Sequence, residues 1–510
     1  MTEEDALRKE RKRKRRARRE ARLAALSPPS PAGVARPQAV DAITAAAGPV
    51  ETADVAVPRR ERARPRQAAL QPTRLADSSQ PLLLTIAYGQ SNAEAGGLRK
   101  LGRGRVMPVS DVVDEQRAMM LDTGLLGVQG RVLDGASLSD IVPARENPAS
   151  GESGGCAFLR HSLASDDALG QPATVYLYRS AGQGGRLLAD LSEGSQAFQN
   201  FLTTVDRSVA IARGYGRSLW VPHFLWDHGE EDRKRATDPE CYRRDMVELR
   251  RRLDQQIRER TGQLQPVWML TTILVAPARR NANTHSDITL AQVAALSEPG
   301  IAPVCSPYWF CGDYGFSEGQ AVHWGPLAKA LLREYGARAA RIVREAVTRN
   351  PDIRLGMTIR RPVYDPGLDG GNGGWSLLEV PFETSPRTDP ASIVRDGDRI
   401  SGTVLYAERG LEIYIGDRGA AEHFGFEWTG SGHIIGVDVE NQSSRSRWIV
   451  RLSSGSSGRL SYATTFQARV GPANAPQKWG NIFDRCAEPS LAMPGLVLRQ
   501  GMLPFSVLIE

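Results

Sequence analysis

A chain of 510 residues is long enough for two or three domains and a large buried core. Its net charge of +7 is unevenly spread: residues 1–75 hold 18 Lys/Arg against 9 Asp/Glu, whereas the rest holds 47 against 49, so the body is near neutral. Five cysteines without a Cys-x-x-Cys pair exclude a disulfide framework and a zinc cage, and no apolar run approaches the roughly 20 residues of a membrane span.

The basic run over residues 8–22 and the Pro/Ala-rich stretch up to residue 75 hold too few apolar residues for a core, so a flexible arm is expected. Such an arm suits an electrostatic anchor to an acidic assembly surface or to nucleic acid, although no aromatic residue interleaves the charges. No apolar segment follows them as a secretory signal requires, which predicts a cytoplasmic or particle-associated (virion) protein.

Over residues 76–350 apolar strand patterns at 82–88, 173–179, 218–226, 267–275 and 302–310 alternate with helical ones at 195–213, 238–261, 288–296 and 325–348. This order predicts right-handed crossovers and an α/β/α sandwich around a five-stranded parallel sheet. The stretch 96–170, poor in periodicity, is expected to be an elaborated loop or small insertion near the site. Cys305 and Cys311 are close enough in sequence to pair, with free buried thiols as the other reading.

Residues 351–510 read differently. Short runs at 377–382, 400–406, 411–415, 423–428, 434–439, 448–452 and 462–469 are separated by turn residues, as in an antiparallel sandwich. Trp428, Trp448 and Trp479 there read as core, with glycan binding the alternative. The same choice holds for Tyr308, Trp309, Phe310 and Trp324 upstream.

The chemistry concentrates at predicted strand ends. Leu82-Leu-Leu-Thr-Ile-Ala-Tyr stops at Gly89-Gln-Ser-Asn92, placing Ser91 where ligands bind in open α/β sheets. A hydroxyl at a sharp turn is exposed, and its own N–H can serve as an oxyanion donor. Gly-rich Tyr178–Gly185 follows the second strand, Trp226-Asp-His-Gly-Glu-Glu-Asp232 the third, and His323 precedes the last helix.

This order, Gly-Gln-Ser-Asn, glycine turn, Trp-x-x-Gly-Glu-x-Asp and late His, resembles the SGNH hydrolases over about residues 81–348. The likeness is greatest to the carbohydrate esterase branch that includes sialate O-acetylesterases and acetylxylan esterases. The resemblance implies Ser91 as nucleophile, His323 as general base, and Gly182, Gly184 or Gly185 as oxyanion donor, with Gly184 preferred. His228 stands where that branch has a Gln donor, beside Gln90 and Asn92 as further oxyanion or substrate-binding groups. Gln320 stands where it has the Asp that orients the histidine, which leaves Glu230, Glu318 and Asp313 as orienting acids or braces.

The expectation is therefore a serine esterase that removes O-acetyl groups from an acylated glycan, without metal or organic cofactor. Glu230 and Asp232 could hold a metal by pattern, but a hydrogen-bonding brace is expected of Glu230. The alternative is a virion or surface-assembly glycan-binding protein whose SGNH domain is decayed or auxiliary.

Overall fold

The uninterrupted apolar run at Leu82 becomes strand β1 (Leu82–Gly89), buried at every position, as an interior strand covered on both faces must be. The computed structural model describes residues 75, 80–93, 112–128, 130–146, 154–170, 173–274, 287–306 and 326–349, together with strands and adjoining turns between 358 and 509. The chain divides into two units, Met1–Ala69 and Leu70–Glu510. Apart from Leu75, the expected arm lies outside the described residues.

Six more strands join β1: β2 (Ala118–Leu121), β3 (Ile141–Pro143), β4 (Val175–Ser180), β5 (Leu219–Asp227), β6 (Trp268–Thr271) and β7 (Ile301–Pro303). The sheet is therefore seven-stranded, ordered β3-β2-β4-β1-β5-β6-β7, where five strands were expected. All pairs are parallel except β2 with β3.

Both extra strands come from the stretch read as a loop, which also supplies helix α1 (Gly155–Ala168). Their signals are weak in sequence for a physical reason. Ala118-Met-Met-Leu121 is short and has no β-branched residue, and α1 buries polar His161, Ser162 and Asp166 among its apolar side chains.

The other helices of this region are α2 (Gln196–Gly214), α3 (Glu230–Arg235), α4 (Pro239–Thr261), α5 (Asp287–Ala295) and α6 (Pro326–Arg349). Alternation along β1 sorts them into two layers. Leu83 and Ala87 join Phe158 and Leu159 of α1 and Leu331 and Tyr335 of α6. Leu82, Leu84, Ile86 and Tyr88 join Phe201 and Val205 of α2 and Met246 and Leu249 of α4.

Because the two strands beside β1, β4 and β5, follow each other in the chain but lie on opposite sides of it, β1 sits at a topological switch point. In open α/β sheets ligands bind beyond the strand ends at such a point.

The C-terminal region is all antiparallel: β8 (Thr358–Ile359), β9 (Val363–Tyr364), β10 (Ser376–Glu383), β11 (Leu411–Ile413), β12 (Phe426–Gly430), β13 (Ile434–Gln442), β14 (Arg445–Leu452), β15 (Gly458–Tyr462), β16 (Ile482–Pro489), β17 (Val497–Gly501) and β18 (Phe505–Ile509). They form three sheets: β13-β14-β10-β8 with β9 on β10, β11-β16-β17, and β12-β15-β18. The strand expected over 400–406 lies outside the described residues, and Tyr462 closes β15 rather than opening a strand.

Phe426, Tyr462 and Phe505 pack ring on ring and continue the apolar cluster of the α1/α6 face. Trp428 is half-buried, and a Cβ added at Gly458 would lie 2.5 Å from its ring, so this tryptophan rests on the sheet. Its indole N–H donates to the Ser431 carbonyl. Trp448 falls in β14, and Trp479 lies outside the described residues.

Helix α6 binds β16 through charge. Glu488 receives the Arg338 guanidinium at 2.9 Å, and also Arg341 and His161. Glu334 receives the Ser490 hydroxyl at 2.5 Å and the Leu491 N–H at 2.6 Å. Burial pushes the Glu488 carboxyl up, but His161, Arg338 and Arg341 together hold it below the usual range.

Cys156 and Cys305 are buried, and Cys311, the expected partner of Cys305, lies outside the described residues. Among the described residues no helix is long and apolar enough to cross a membrane.

Candidate active site

Gly89 ends β1 with φ of +130°, and a Cβ there would lie 2.2 Å from the Asp227 carbonyl oxygen, so only glycine fits. The chain then turns over Gln90–Ala93, closed by the Ala93 N–H on the Gln90 carbonyl at 3.0 Å. The turn is held on three sides. The Gln90 N–H donates to Asp227 O at 2.8 Å, and the Ser180 hydroxyl donates to Ala93 O. Gly182 abuts the flank: a Cβ on it would meet Gln90 O and the Ala93 Cβ at 2.8 Å each.

Within this turn Gln90 and Asn92 are each 2 % exposed, and only Ser91 between them is partly open. The Gln90 amide N–H donates to Arg186 O, while its oxygen accepts from the Glu230 N–H at 3.1 Å. Asn92 Nδ2 donates to Glu230 Oε1 at 2.6 Å. Both side chains, expected to face substrate, instead face inward and brace the turn.

His228, expected as an oxyanion donor, also faces inward. It is fully buried, stacked between Trp226 at 4.7 Å and Tyr242 at 5.9 Å. Its Nε2 contacts Arg186 O at 3.2 Å; a carbonyl only accepts, so the proton is assigned to Nε2. Nδ1 then accepts from the Tyr242 hydroxyl at 3.1 Å, which itself receives Gln292 Nε2 at 3.3 Å. Neither ring nitrogen is left to donate to an oxyanion, and burial lowers the imidazole to about 3. His228 is a neutral strut.

Glu230 is the brace. Its carboxyl holds Asn92 while burial raises it to about 7. Asp232, also pushed up by burial, accepts from the Leu188 N–H at 2.9 Å and the Thr237 hydroxyl at 2.9 Å. Arg186 O, Leu188 N and the Gln90–Ala93 turn thus stitch together the loops after β1, β4 and β5. Among the described residues no three His, Cys, Asp or Glu side chains converge as a metal cage.

Of the glycines, Gly182 touches the turn, whereas Gly184 lies exposed two residues on and Gly185 faces open space at φ +69°. His323, Gln320, Glu318 and Asp313 lie outside the described residues, as do Tyr308, Trp309, Phe310 and Trp324.

Sequence reasoning missed Arg333 of α6, which pairs with Asp227 at 2.7 Å and donates to Asn92 O at 3.3 Å. The one available signal was a set of charges, Lys329, Arg333 and Arg338, at positions of α6 that are buried.

No family model matches the chain, and no curated protein matches it in sequence. Several solved structures align with it at low identity. A carbohydrate acetylesterase from Xanthomonas citri aligns at 15 % identity and TM-score 0.44, covering 83 % of this chain and 80 % of that one. A protein from Arabidopsis thaliana aligns at 17 % and 0.36, covering 51 % and 98 %. NanS aligns at 11 % and 0.36, covering 52 % and 98 %.

Proposed function

We propose that this protein is a serine esterase of the SGNH type that removes O-acyl groups from carbohydrate, with Ser91 as nucleophile and His323 as general base. The observation that carries the reading is the environment of Ser91. Ser91, a partly exposed residue, sits between two buried, inward-braced neighbours, on the turn that follows Gly89 at the carboxyl end of the central strand. A turn pinned by all three adjoining loops is preorganised, which a nucleophile and a helix cap need to different degrees.

In the proposed reaction the Ser91 oxygen attacks the acyl carbon and its proton passes to His323. The Ser91 N–H and a glycine N–H of the loop after β4 stabilise the oxyanion, and Gly182 replaces Gly184 as the preferred donor because it abuts the turn. Collapse breaks the bond to the sugar oxygen, which takes the proton from His323. Water activated by His323 then releases the acid and restores Ser91. Each donor is worth about 10²–10³ in rate.

A fluorophosphonate probe tests the assignment directly. It should label the purified full chain at Ser91, found by peptide mapping, and labelling at another serine with Ser91 unmodified contradicts it.

A further inference from the structure

Two residues far apart in sequence hold the two neighbours of Ser91. The Gln90 N–H donates to the main-chain oxygen of Asp227 at 2.8 Å, and Arg333 Nη2 donates to that of Asn92 at 3.3 Å. Asp227 and Arg333 are joined in turn, carboxylate Oδ2 to Nη1 at 2.7 Å. One ion pair therefore brackets the serine from both sides.

Each member of the pair is itself held. The second Asp227 oxygen accepts from the Thr272 hydroxyl at 2.6 Å. The stem of Arg333 runs past Gly154, where a Cβ would lie 2.7 Å from Arg333 Cγ and 3.0 Å from Lys329 O. Gly154 stands at the head of α1 with φ of +73°, so both the backbone and the passing arginine require glycine there. The guanidinium is a planar fork whose two terminal nitrogens meet two acceptors at once, which a lysine ammonium does not reproduce.

Fold stability alone does not call for this arrangement. Arg333 and Asp227 are 2 % and 3 % exposed. Stripping water from two charges offsets much of their attraction, so well-packed apolar residues often serve a core as well. Apolar residues cannot supply a fixed donor to the Asn92 carbonyl. The side chain of Asn92 is tied separately, to Glu230 of α3, so α6 governs the backbone of this residue and α3 its amide.

We infer that Arg333 and Asp227 are positioning residues for the Ser91 nucleophile, fixing the backbone on either side of it and thereby the direction of its hydroxyl and N–H. The inference rests on the esterase reading and extends it, because it makes α6 part of the catalytic framework. Both residues act through the turn. A nucleophile displaced by about 1 Å loses up to about 10²-fold in rate.

The test uses the full chain, Arg333→Lys, and the double variant of Arg333→Met with Asp227→Asn. The double variant leaves no charge unpaired, and the Gln90 bond survives in it because the acceptor is main chain. Arg333→Lys keeps the charge and loses the fork. Each should react more slowly with a fluorophosphonate at Ser91 and lose about 10-fold or more in kcat on a small acetyl ester, with KM little changed. A merely structural pair predicts instead that activity returns with the melting temperature in the double variant. Folded variants as fast as wild type in labelling and turnover overturn the positioning role, and Arg333→Lys decides the matter if the double variant does not fold. A wild type that neither labels nor turns over sinks the esterase reading, and this inference with it.

Discussion

Arg333 of α6 and Asp227 at the end of β5 form a buried ion pair, Nη1 to Oδ2 at 2.7 Å. The other Asp227 oxygen accepts from the Thr272 hydroxyl at 2.6 Å, and Arg333 also reaches the carbonyl of Asn92, the neighbour of Ser91. Since α6 begins three residues after His323, this pair ties the helix that follows the proposed base to the turn that carries the proposed nucleophile. Beside and just beyond Arg333, Glu334 binds Ser490 and Leu491 and Arg338 binds Glu488 of β16, so α6 links the site to the C-terminal sheets.

Arg333→Met should therefore cost about 3–5 kcal/mol, because it leaves the Asp227 charge buried and unpaired. The double variant with Asp227→Asn should recover part of that loss. Urea denaturation of the four proteins measures it, and additive losses would mean that the pair does not act as a unit.

Gly182→Ala should harm catalysis more than folding. The new Cβ would meet Gln90 O and Ala93 at 2.8 Å, so the turn must shift by a fraction of an ångström. Misplacing a nucleophile on that scale costs up to about 10²-fold in kcat. Steady-state turnover of a small acetyl ester, beside thermal melting, separates the two effects.

Much of this site was legible from residues. The strand before Gly89-Gln-Ser-Asn92, the glycine turn after β4 and the bracing role of Glu230 follow from apolar runs that end in glycine or in a clustered acid. What stayed hidden depends on partners distant in sequence. His228 looks like an open donor until Tyr242 of α4 and Gln292 of α5 close around it. Arg333 looks like a solvated helix charge until Asp227, far upstream, meets it. Strands β2 and β3 carry little sequence signal because a four-residue run such as Ala118–Leu121 holds too little pattern, and pairing with β4 supplies the rest for β2.

Glu230→Gln should change the pH dependence of stability in a defined direction. The folded carboxyl, raised by burial to about 7, holds its proton over a range in which the unfolded one ionises. Stability from this group is therefore lost as pH rises from about 4.5 to 7, and the cost is constant above that. Relative to wild type, the variant should gain on the order of 3 kcal/mol across this window, measured by urea denaturation at several pH values. A gain that is flat with pH would show that Glu230 is not protonated in the fold.

Acid should act in the opposite sense through His223 and His228, each lowered by burial to about 3. The unfolded imidazoles take protons below about 6.5 while the folded ones do not, so stability falls as pH drops through that range. Replacing His228 by Gln should flatten the fall, with circular-dichroism melts from pH 4 to pH 7 as the measurement.

The central claim is that Ser91 is the nucleophile of an ester hydrolase, and p-nitrophenyl acetate turnover by the full chain and by Ser91→Ala tests it most directly. The hydroxyl contributes little to packing, so the variant should melt with wild type while kcat/KM falls about 10³-fold or more. Equal turnover by wild type and the folded variant, or no turnover by wild type on any acetylated ester or glycan, would contradict it.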